Sequence, residues 1–143
     1  MPVESHWYHD IFHLYWIDAS KTILVLAFEN NFKWKDYYAL MDVVHKMIDD
    51  ITHPIVYVNV WAEHVKIPSD SPLSHFSNMK NMFLPEVAVV VIHNPWQRTF
   101  FEILARAIGF RKNETYWMAE SYNEAITIAQ VASRKLLDQS TSQ

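Results

Sequence analysis

The sequence predicts an α/β domain with a mixed sheet, and three observations carry that expectation. Glu86 to His93 is β-branched and apolar on both faces and lies between Pro85 and Asn94-Pro95; a strand apolar on both sides is one covered on both sides. Ile11 to Ile17 and Thr22 to Glu29 favour strand and flank the turn formers Asp18-Ala19-Ser20-Lys21, which gives a β-hairpin. After the hairpin, helical three- and four-residue spacing alternates with short strand-like runs, the pattern of parallel strands joined by right-handed crossovers.

The elements follow in order. His6-Trp7-Tyr8-His9-Asp10 precedes the hairpin, and its histidines continue to His13. On a helix that spacing would bring imidazoles to one metal, but the strand pattern separates them, so an aromatic edge strand is expected and no metal site. Trp34, Tyr37, Tyr38, Met41, Val44, Ile48 and Ile51 mark a helix near residues 33 to 50. Lys33, Lys35, Asp36, Asp42, Asp49 and Asp50 are expected on its wet face, and His53-Pro54 ends it.

Ile55 to Trp61 reads as a strand with Val56, Val58 and Val60 on one face and Ile55, Tyr57, Asn59 and Trp61 on the other. Asp70-Ser71-Pro72-Leu73 reads as the start of a second helix running to about Met82, because aspartate or serine suits the cap and proline the first turn. Asn94-Pro95 starts a third helix with Phe100, Phe101, Leu104, Ala105 and Ile108 inward, and Gly109 stops it. Thr115 to Ala119 is the last strand. Ser121 and Glu124 form a capping box for a fourth helix burying Ala125, Ile128, Ala129, Ala132 and Leu136, with Gln139 to Gln143 expected to fray.

Composition narrows the function. At 143 residues and 50% apolar, the chain is expected to be one domain with its core over about 11–137 and a flexible tail at 139–143. It has no cysteine, which excludes disulfides, thiolate nucleophiles and cysteine-ligated metals. Its single glycine, Gly109, excludes glycine-rich phosphate loops. A net charge of −4 argues against nucleic acid and anionic lipid as partners. No apolar run approaches the length of a membrane span, and a cytoplasmic location is expected.

No serine lies in a nucleophile elbow, no catalytic motif is found and no cofactor is expected, so the chain is read as a non-enzyme. In open α/β sheets ligands gather beyond the carboxyl ends of strands. There the chain offers Glu29, Asn30 and Glu120, and above all Glu63, His64, His93 and Asn94 as a cleft.

From about Leu14 to Leu137 the arrangement resembles the STAS superfamily, in its SpoIIAA-like branch of anti-sigma factor antagonists. The match rests on Thr22 to Glu29 leading into a helix, on Ile55 to Leu73, and on Val87 to His93 followed by a helix and by Ser121-x-x-Glu124-Ala125. The resemblance implies a SpoIIAA-like α/β fold: a five-stranded mixed sheet in sequential order, its first strand antiparallel, with about four helices.

It also implies a regulatory or protein-binding role. In the family a strand ending near an aspartate leads to Asp-Ser-Ser-Gly-Leu, whose first serine is phosphorylated by a partner kinase. Here Asn59 lies near the strand position, Ser69-Asp70-Ser71-Pro72-Leu73 occupies the motif, Asp70 stands at the phosphoacceptor and Pro72 replaces the glycine. The alternative is a carrier of small apolar or lipid-like ligands, by comparison with Sec14-like folds and in view of six tryptophans, seven tyrosines and eight phenylalanines. Helices on one face only would leave side chains such as Tyr57 and Trp61 short of cover, so a homodimer is also expected.

Overall fold

A computed structural model describes residues 3–66, 68–70, 74, 75, 78, 87–107 and 109–141. Its strands are β1 (Val3–Tyr8), β2 (Phe12–Trp16), β3 (Ile23–Phe28), β4 (Val56–Trp61), β5 (Val87–Val91) and β6 (Tyr116–Ala119), and its helices are α1 (Trp34–Ile48), α2 (Pro95–Ala107) and α3 (Tyr122–Thr141). The six strands form one sheet in the order β1-β2-β3-β4-β5-β6. β1, β2 and β3 pair antiparallel, and β3 through β6 pair parallel.

The mixed α/β class, the sequential order and the antiparallel hairpin agree with the sequence reading. The strand count does not: Val3–Tyr8, the aromatic edge strand expected before the hairpin, makes six strands where five were expected. A tight turn produces it, with His9 at φ 52° and the Ile11 N–H donating to the Tyr8 carbonyl at 3.1 Å. Three helices are described rather than about four, because most of the helix expected from Asp70 to Met82 lies outside the described residues. α3 runs on through Gln139 to Thr141, where fraying was expected.

β3 and β5 are buried at every position, as strands covered on both faces must be. The two faces differ in character. One carries Phe12, Leu14, Trp16, Leu24, Leu26, Phe28, Tyr57, Trp61 and Val90 and is covered by α1 and α2. The other carries Ile23, Val25, Val56, Val58, Val87, Val89 and Val91 and is covered by α3 through Ala125, Ala129 and Ala132. Three alanines on one stripe let that helix lie close over the valines. Helices therefore cover both sides of the sheet. Tyr57 and Trp61, at 5% and 2% exposure, are core residues, which removes the argument for a homodimer from an uncovered face.

Aromatic rings fill the first face. Phe28 stacks on Trp61 with ring centres 4.3 Å apart and meets Phe12 edge-on at 5.3 Å, offset and T-shaped geometries that ring quadrupoles favour. Asp36, expected on the wet face of α1, is instead buried at 8% exposure. Its carboxylate accepts the Lys33 N–H at 2.9 Å and the Tyr8 hydroxyl at 3.2 Å, so it caps the helix and ties β1 to it. Lys33, Lys35, Asp42, Asp49 and Asp50 are exposed as expected.

On the α3 side of the hairpin, Trp7 stacks on His13 at 4.1 Å, and the Tyr15 hydroxyl donates to that of Tyr122 at 3.1 Å. Register sets His6 opposite Leu14 and Trp7 opposite His13, so His6 and His13 belong to opposite faces. Near β1's start the register shifts between Val3 and His6, with Glu4 at φ 52° and its carboxylate 3.1 Å from Lys21 Nζ. Burial lowers the pKa of His13 below its ordinary 6.5, and the nearby Glu29 charge opposes that shift only in part.

Two measurements test this account. Leu24→Ala, at a fully buried position, is expected to cost about 2–5 kcal/mol in urea denaturation. Trp7→Ala at the exposed edge should cost clearly less than that. For His13, the unfolded chain binds a proton more readily than the folded one, so stability is lost as pH falls through the ordinary histidine range and levels off below the folded value. His13→Gln should show a smaller drop in melting temperature between neutral and mildly acidic pH than the wild type.

Candidate functional site

The helices after β5 and β6 leave the sheet in opposite directions. α2 carries Leu104, Phe100 and Phe101 to the aromatic face, whereas α3 carries its alanines to the valine face. Two neighbouring parallel strands whose following helices diverge leave a crevice outside their carboxyl ends, the usual ligand position in open α/β sheets. A cleft of ≈ 310 Å³ lies there, lined by Ile92, His93, Asn94, Pro95, Arg98 and Glu120.

Its floor is fixed by hydrogen bonds. The Ile92 N–H donates to the Ala119 carbonyl at 2.9 Å, continuing the β5–β6 ladder beyond the strands. Asn94 caps α2, its Oδ1 accepting the Gln97 N–H at 2.9 Å. Gln97, at 7% exposure, accepts the His93 N–H at 3.1 Å and donates through Nε2 to the Ala62 carbonyl at 3.4 Å. One buried amide therefore joins the loop after β4 to the loop after β5. On the other wall, Ser121 Oγ accepts the Glu124 N–H at 3.1 Å, and Glu124 reaches back to the Glu120 N–H at 3.3 Å. This is the expected capping pair with its return bond displaced by one residue.

The residues singled out from sequence fall in three places. His93 and Asn94 line the cleft together with Glu120. His64 lies apart from that lining, its Nε2 3.3 Å from Asn30 Oδ1 between the ends of β3 and β4, and Glu63 beside it is exposed. Asn59 is half-buried in mid-β4 between Leu26 and Val90 in register. Ser69 and Asp70 are exposed on the loop that follows β4, and Ser71 and Leu73 lie outside the described residues.

Arg98 and Gln97 were missed. A signal for Arg98 was present: it lies four residues after the Asn94 cap, and helical side chains tilt toward the amino end, so that spacing returns it to the strand end. Nothing local marks Gln97, whose partner Ala62 is 35 residues away.

No family model, curated protein or solved structure matches the chain. Among the described residues, no group of three or more His, Asp or Glu side chains is placed to hold a metal ion, and no helix is long and apolar enough to cross a membrane.

The Gln97 bridge yields a stability test. Gln97→Leu keeps the volume but leaves the His93 N–H and the Ala62 carbonyl without this partner. It is expected to cost about 1–3 kcal/mol in urea denaturation. An unchanged midpoint would show that the bridge does not organise the site.

Proposed function

We propose that this chain is a non-enzymatic, cytoplasmic regulatory module that binds a protein partner in the manner of an anti-sigma factor antagonist. The observation that carries the reading is the exposure of Ser69 and Asp70 on the loop leaving β4, in the segment that resembles the family's switch motif. The sequential sheet with its leading antiparallel hairpin supports it, being the order the resemblance implies. Ser69, Asp70, Ser71 and Leu73, with Asn59 on the strand that leads to them, are the proposed switch or partner-binding set. The alternative reading is a carrier of small apolar or lipid-like ligands; the β5–β6 cleft, lined by Ile92 and Pro95 as well as His93, Asn94, Arg98 and Glu120, is of mixed character.

In this reading Asp70 supplies one fixed negative charge where a phosphorylated serine would carry about −1.5 to −2. Partner binding is then constitutive rather than switched. Asp70→Asn removes the charge and keeps a residue able to cap a helix. Denaturation should move by no more than about 0.5 kcal/mol, while a partner captured by the wild type from its own cells is lost from the variant. Capture of the same proteins by both forms, with intact mass showing no phosphate on Ser69 or Ser71, would sink the reading.

A further inference from the structure

The cleft between β5 and β6 presents one permanent cation, Arg98, and one carboxylate, Glu120, on the same lining. Among the described residues neither side chain forms an ion pair or hydrogen bond, with each other or with anything else. The fold does not use them either. α2 is capped by Asn94 with Gln97 behind it, and α3 by Ser121 with Glu124, so both helix starts are complete without Arg98 and Glu120.

Two opposite charges on one cleft discriminate strongly by ligand charge. A simple anion gains from Arg98 but is repelled by Glu120, and a simple cation meets the reverse. A ligand carrying both charges satisfies both walls at once. Side-chain charge fixes one orientation, since Arg98 draws the ligand's carboxylate and Glu120 its ammonium, and the amino end of α2 adds to the pull on the carboxylate. Arg98 stands one turn inside α2, so a carboxylate set against it also lies near that helix start. The ammonium group then falls to Glu120. The cleft's ≈ 310 Å³ is at the lower end of ligand pockets, which suits a molecule of amino-acid size.

We propose that the β5–β6 cleft binds a small zwitterion of the amino-acid class, its carboxylate on Arg98 and its ammonium on Glu120. This site is separate from the loop carrying Ser69 and Asp70 and does not rest on the regulatory reading.

The test is titration of the ¹⁵N-labelled full chain, followed by backbone amide shifts. The probes are glycine, β-alanine, 4-aminobutyrate and 5-aminovalerate, which place the two charges at increasing separation. Propylamine, propionate and inorganic phosphate, each carrying charge of one sign only, serve as controls. At least one zwitterion is expected to saturate, with shifts concentrated at residues 92–98 and 119–123, and each control should bind at least tenfold more weakly. Arg98→Gln and Glu120→Gln should each weaken the best zwitterion at least tenfold. Both side chains belong to exposed residues, so the variants' spectra away from the cleft should match the wild type and report intact folding. The proposal is overturned if no zwitterion saturates the wild type up to about 50 mM, far weaker than the millimolar range of ordinary weak ligands. It is equally overturned if phosphate or either other control binds as tightly as the best zwitterion, or if either folded variant keeps wild-type affinity.

Discussion

Burial of the central strands on both faces is the constraint from which the rest of this structure follows. β3 and β5 have no wet side, and a sheet of that kind is stable only when cover arrives from both directions. The chain meets the demand unequally, with two described helices over the aromatic face and the terminal helix over the valine face. The side chains match that division. Phe28, Trp61 and their neighbours make a thick layer, whereas Val58, Val89 and Ala129 make a thin one. The cleft is a by-product of the same demand, because the chain must turn opposite ways after β5 and β6.

That origin explains why so much hydrogen bonding gathers at one edge. Where two loops diverge, backbone groups leave the ladder without a strand partner, and each must find another. Gln97 takes up the His93 N–H and adds a second donor to the Ala62 carbonyl, which also accepts the Val65 N–H, and Asn94, Ser121 and Glu124 supply the helix starts. Once those needs are met, Arg98 and Glu120 are left over, and side chains released from structural duty are the ones available to a ligand.

Much of the fold was legible in the chain because the signals are local and periodic. Val87 to Val91 shows its two-faced burial directly in composition, the hairpin shows its turn, and Ser121 with Glu124 shows the start of α3. What was not legible depends on distant residues. Periodicity gives each helix a buried stripe but says nothing of which face of the sheet receives it, and from that missing fact came the expectation that Tyr57 and Trp61, which α1 and α2 cover, lack cover. Asp36 reads as a surface charge because its Tyr8 partner is 28 residues away. Within the site, His93 and Asn94 were legible as strand-end residues, whereas Gln97 acts through the distant loop at Ala62.

The irregularity at Glu4 bears on what happens at the margins of the sheet. A six-stranded sheet has two edges, and a straight edge offers unsatisfied amides and carbonyls to any neighbouring chain as a template for continued stacking. β1 departs from that template near its start, where the register shift and the left-handed Glu4 bend the strand and the Glu4–Lys21 pair places charge on it. β6 is only four residues long, and the Tyr116 carbonyl on that edge is occupied by the Asn113 N–H. Both margins are thereby poor growth points, so a chain half apolar in composition has a built-in guard against edge-to-edge aggregation, and mutations that straighten β1 around Glu4 would remove it.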